Sequence, residues 1–113
     1  MKKKIFISQP MSGRTDECIK AERAEIEMLA KARFGADAEI IDSFFECAPH
    51  DAKPLWYLGK AFEKLSEADV AIFAEGWYHA RGCVMEYEAC RNYGIETIDL
   101  TYGYIGPGKE CEE

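Results

Sequence analysis

The sequence predicts an α/β fold: a small doubly wound parallel sheet of about four to five strands with helices on both faces. Three observations carry this. Short apolar runs alternate along the chain with longer segments whose apolar residues recur every three or four positions. Glycine or proline punctuates most of the junctions. One run, "ADVAIFA" at 68–74, is apolar at nearly every position, as a strand covered on both faces must be.

The first strand is "KIFIS", Lys4 to Ser8, and it breaks at "QPMSGR". Thr15 then caps a helix, with Asp16 and Glu17 in the first turn, where the helix dipole favours acids. Cys18, Ile19, Ile26, Leu29 and Ala30 share one side of this helix, although Glu22 falls in the same stripe. Gly35 ends it, and "AEIID" at 38–42 is the second strand. Residues 43–53 read as irregular. Pro54 suits the first turn of the second helix, whose apolar face is Leu55, Leu58, Phe62 and Leu65. The third strand is 68–74. Gly82 opens a third helix that stops near Gly94, and "IETIDL" at 95–100 is the fourth strand.

Residues 1–100 therefore read as one domain and 101–113 as a glycine-rich, acidic C-terminal tail in a loop conformation. Strands joined through helices pair in parallel by right-handed crossovers, and the expected strand order is 2-1-3-4, of the flavodoxin or Rossmann-like kind. Such sheets bind ligands beyond the carboxyl ends of the strands, where the order reverses. The reversal lies between strands one and three. Their outgoing loops, 9–14 and 75–82, are thus expected side by side.

Composition narrows the function. A chain of 113 residues that is 48% hydrophobic can bury a core and is too apolar to be disordered. No apolar run approaches the roughly 18 residues of a membrane helix. The start, "MKKKIFISQP", has too short an apolar run for a secretory signal, so a cytoplasmic protein with no membrane partner is expected. The net charge of −7 repels phosphate backbones and argues against nucleic-acid polymers. A small anionic ligand in a local pocket remains compatible. Five cysteines, with no CxxC pair, and two distant histidines give neither a disulfide framework nor a metal site. The expectation is reduced, mostly buried thiols and no metal or cofactor.

The residues that carry chemistry lie in the two loops and the third helix. Cys83, Glu86, Cys90 and Tyr93 follow at steps of three or four, which puts Glu86 on an apolar stripe. Either it is a solvated glutamate on a rotated helix, or it is a carboxylate held for a purpose. The loop Gln9, Pro10, Met11, Ser12, Gly13 and Arg14 leads from strand to helix. It could offer backbone N–H groups, a hydroxyl and a guanidinium to an anion, or it is an ordinary turn with an exposed arginine. Glu75, Gly76, Trp77, Tyr78 and Arg81 precede Gly82. Their aromatics could stack on a base or sugar face, or cover a subunit contact.

Taken together, "ISQPMSGRTDE" and "ADVAIFAEGWYHARGCVMEYEA" resemble the nucleoside 2-deoxyribosyltransferase superfamily. Within it they resemble the 2-deoxynucleoside 5-phosphate N-hydrolase branch, and most closely a small bacterial and phage family of unknown function. The resemblance spans most of residues 4–100, and its G-x-x-x-E step falls on Gly82 and Glu86. It implies Glu86 as a carboxylate nucleophile and 9–14 as the loop that contacts sugar or phosphate. It also implies Glu75 and Gly76 as the acidic-Gly step, and a homo-oligomer with sites near subunit contacts. Ala80 departs from the pattern, since family members carry aspartate or serine there.

The expected activity is cleavage or transfer of the N-glycosidic bond of a (deoxy)nucleoside or nucleotide. Glu86 attacks the anomeric carbon, and Glu75, His79 or a water protonates the leaving base. The alternative is a non-catalytic nucleotide-binding or regulatory module that uses the same pocket. For a nucleophile, the helix N-terminus and nearby donors should hold the Glu86 pKa below about 6 against burial.

Overall fold

The computed structural model describes residues 2–42 and 50–101. Strand β1, Lys4–Ser8, is followed by α1, Asp16–Phe34, and the short β2, Glu39–Ile40. Helix α2, Pro54–Leu65, leads to β3, Val70–Phe73, and then to a single 3-10 turn at Trp77–His79. Helix α3, Arg81–Tyr93, and β4, Glu96–Asp99, complete the described chain. The four strands form one parallel sheet ordered β2-β1-β3-β4, the order that the alternation of strands and helices predicts. The C-terminal tail, apart from Thr101, and most of the irregular stretch before Pro54 lie outside the described residues.

Local chemistry explains the boundaries. The Thr15 side chain accepts from the Cys18 N–H at 3.1 Å and caps α1. Gly35, at φ 116°, ends the helix in a conformation that disfavours other residues. The edge strand β2 is shorter than the apolar pattern suggests; past it the Ile41 N–H donates to the Ile5 carbonyl at 2.8 Å, and the Ile41 carbonyl accepts from the Arg23 guanidinium at 2.8 Å. Helix α3 starts one residue before Gly82, with Ala80 at its N-cap position and no side chain bonding its first amides.

Strand alternation sorts the core into two layers. Ile5 and Ile7 of β1, with Val70, Ile72 and Ala74 along β3, pack with Ile26 and Ala30 of α1. Phe6, Ala71 and Phe73 point the other way, into a layer with Ala61 and Leu65 of α2 and Cys83 and Cys90 of α3. One helix therefore covers one face and two cover the other. β3 is fully buried, as its unbroken apolar run predicts.

Two helix faces differ from the expected ones. On α1 the buried residues are Ile19, Arg23, Ile26 and Ala30, while Cys18 is exposed. On α2 Leu55 is 74% exposed, and the buried residues are Ala61 and Leu65 in its second half.

Candidate active site

The alternation that builds the core also aims the site. Ser8 has the parity of Phe6, so its side chain faces the α2/α3 layer; Gln9, one residue on, faces α1. Ser8 is 2% exposed and its Oγ donates to Glu86 Oε1 at 2.6 Å. The serine backbone is held against β3: Ser8 pairs with Phe73, and its carbonyl accepts from the Ala74 N–H at 2.9 Å. Glu86 is 7% exposed and lies between Cys83 and Cys90 on the buried stripe of α3. A solvated surface glutamate is excluded. Tyr93, which continues the stripe in sequence, is the last residue of α3 and is 84% exposed.

Burial raises the Glu86 pKa from its usual 4.5 to about 7, with the Ser8 hydrogen bond pulling the other way. The expectation of a value below 6 is therefore corrected. It leaned on the helix N-terminus, but α3 begins at Arg81, so Glu86 is the sixth residue and sits past the first turn. The dipole's influence has largely decayed there. One hydroxyl donor does not offset the loss of water.

The neighbouring thiols respond in the same direction. Burial lifts Cys83 to about 11 against a side-chain hydrogen bond with Ser8, and the Glu86 and Glu22 charges add to the rise. Burial and the Glu86 charge likewise lift Cys90 to about 11. Both remain neutral thiols near pH 7 and are poor nucleophiles.

On the α1 side, the first loop is organised by its own polar contacts. Gln9 is buried, and its Nε2 donates to the Ile19 carbonyl at 3.0 Å and to Glu22 Oε1 at 2.9 Å. Arg14 Nη1 donates to the Pro10 carbonyl at 2.7 Å and to Glu22 Oε1 at 3.0 Å. Behind them the buried Arg23 donates to Gln9 Oε1 at 3.5 Å and pairs with Glu27 at 3.5 Å. The loop closes with the Arg14 N–H on the Met11 carbonyl, and Gly13 takes a left-handed φ of 78°. Met11, Ser12 and Gly13 form its exposed tip, and Pro10 is half-buried. The guanidinium expected to greet an anion is already paired with Glu22, which is why that acid sits in the α1 stripe.

The second loop departs most from expectation. Trp77 is 9% exposed and belongs to the core. Its ring stacks on Tyr87, with centroids 4.4 Å apart and planes 25° apart, and meets Phe73 at 5.4 Å. The 3-10 turn folds it back onto α3, so it is not free to cover a ligand or a subunit contact. Tyr78 and His79 stay exposed, with ring centroids 4.5 Å apart. Gly76, at φ 85°, makes the turn, and its N–H donates to Thr101 Oγ1 at 3.3 Å. Glu75 and Arg81 are exposed and Gly82 is half-buried against Leu58.

The two loops thus leave adjacent strands at the same carboxyl edge, as expected, with Glu86 behind them. Sequence reasoning missed three residues of the arrangement. Ser8 was available from parity, since a polar residue two places after Phe6 must enter the same layer. Arg23 and the Glu22 contacts carried no comparable signal. Among the described residues no cluster of histidine, cysteine or acidic side chains could hold a metal ion, and no helix is long and apolar enough to cross a membrane. Comparison of the chain with protein-family models, curated proteins and solved structures finds no match.

Proposed function

We propose that the protein cleaves or transfers the N-glycosidic bond of a (deoxy)nucleoside or nucleotide, with Glu86 as the nucleophile. The observation that carries this is a buried carboxylate, hydrogen-bonded by a buried serine, behind the strand-order reversal of a doubly wound sheet. Among the described residues Glu86 has no cationic partner; such a buried acid destabilises the fold once ionised, and such groups cluster at functional sites. The sequence resemblance supplies the reaction class.

In this reading the ionised Glu86 forms a bond to the anomeric carbon as the C–N bond breaks. The electron pair leaves with the base, which takes a proton from Glu75, His79 or water. Water or a second base then displaces Glu86 from the glycosyl ester and restores the carboxylate. The low-water surroundings raise the reactivity of the ionised form. They also raise the Glu86 pKa to about 7, so turnover rises with pH through about 7.

Ala80, where the resembled family carries aspartate or serine, favours a second reading, in which the site holds a nucleotide without turning it over. The two are separated by incubating the protein with deoxynucleosides and deoxynucleoside monophosphates, with and without an acceptor base. Free base released by the protein but not by Glu86→Gln supports the enzyme. A new nucleoside that needs the acceptor makes it a transferase. Thermal stabilisation by a ligand without base release, equal in Glu86→Gln, supports the binding module.

A further inference from the structure

We propose that Ser8 is the positioning residue of the site: its hydroxyl fixes one oxygen of Glu86 and sets the pH at which that carboxylate becomes active. The inference rests on the nucleophile reading for its kinetic part and on geometry for the rest. The Ser8–Glu86 contact is short and buried. The serine end is preorganised. The Ser8 backbone is locked between its ladder partner Phe73 and the Ala74 N–H. The next residue, Gln9, is pinned to Ile19, Glu22 and Arg23. The serine therefore cannot drift without breaking the β1–β3 ladder or the loop network. Oε1 is held, which leaves the other carboxylate oxygen for the substrate.

The surroundings make the effect readable. Among the described residues, the groups that interact with Glu86 are the Ser8 hydroxyl from β1 and the Cys83 and Cys90 thiols from α3, with Glu22 of α1 acting on Cys83. Both thiols, lifted to about 11, stay protonated between pH 5 and 9 and add no charge as Glu86 titrates. A hydrogen bond that favours the ionised carboxylate lowers its midpoint by roughly one to two pH units. Without Ser8, burial acts unopposed and the midpoint climbs.

The test is a carbon-13 NMR titration of the Glu86 carboxyl, assigned by its loss in Glu86→Gln. The wild-type midpoint is expected near 7, Ser8→Ala about one unit or more higher, and Ser8→Thr back near wild type. Ser8→Cys keeps the volume with a weaker donor and shifts the midpoint the same way, so it carries the test if Ser8→Ala does not fold. Where base release is measurable, the acid limb of kcat/KM moves with the midpoint. A one-unit shift costs Ser8→Ala about fivefold at pH 7, and the loss shrinks toward pH 9. A purely structural role would lower the rate equally at every pH. An unshifted midpoint in a folded Ser8 variant overturns the proposal. A shifted midpoint with no turnover of any substrate leaves Ser8 in its role and rejects the N-glycosidic reading instead.

Discussion

Replacing Glu86 with glutamine should make the protein more stable at neutral and alkaline pH. The folded carboxyl titrates at about 7 against a usual 4.5. Between those values the folded chain keeps a proton that the unfolded chain has released. Unfolding then releases a proton, so stability falls as pH rises from 4.5 to about 7 and is level above it. At about 1.4 kcal/mol per pH unit, ionised Glu86 costs about 3 kcal/mol above pH 7. Glutamine has the same shape, keeps a hydrogen bond to Ser8 and carries no charge. Urea unfolding at pH 8 should therefore show Glu86→Gln about 2–3 kcal/mol more stable than wild type. In a chain of this size that is roughly 10 °C in Tm. Near pH 4.5 the difference should close, because wild-type Glu86 is then neutral in the folded state. A variant no more stable than wild type at pH 8, with a gap that does not vary with pH, would refute the reasoning that burial dominates at Glu86.

Three further outcomes follow from the same contacts. Gln9→Ala leaves the buried Arg23 without its glutamine acceptor and the Ile19 carbonyl without its side-chain donor, and should cost about 1–3 kcal/mol in denaturant unfolding. Brief treatment of the native protein with iodoacetamide at pH 8, read by peptide mass spectrometry, should modify the exposed Cys18 and spare Cys83 and Cys90. Leu55, Tyr57, Tyr78 and Met85 are large apolar side chains left exposed on the described surface. Light scattering should accordingly give a mass above the 12.8 kDa monomer, and a monomer mass across micromolar concentrations would contradict an oligomer built on them.

The sheet was legible because its signals are local and agree with one another. Thr15, Gly35, Pro54 and Gly94 mark helix ends by backbone chemistry, and the apolar run at 68–74 can only be a central strand. Glu86 was legible as a carboxylate on a buried stripe, since spacing alone places it between Cys83 and Cys90. Its pKa was not, because that depends on how far α3 extends ahead of it and on how many donors reach it. Trp77 reads as an exposed loop aromatic until the 3-10 turn is known. Its burial depends on Tyr87, ten residues on, presenting a ring to stack against. Arg14 looks like a free cation for a related reason: Glu22 meets it only once β1 and α1 have docked.

In the proposed reaction Glu86 forms a bond to the sugar. The most direct measurement is acid-quenched mass spectrometry of the protein mixed with deoxynucleosides and deoxynucleoside monophosphates, with the modified peptide sequenced. The expected result is a glycosyl ester on Glu86 that appears with the released base, decays with water or acceptor base, and is absent from Glu86→Gln. Base release that persists in Glu86→Gln, or a folded protein that releases no base and forms no ester across the panel, would contradict it.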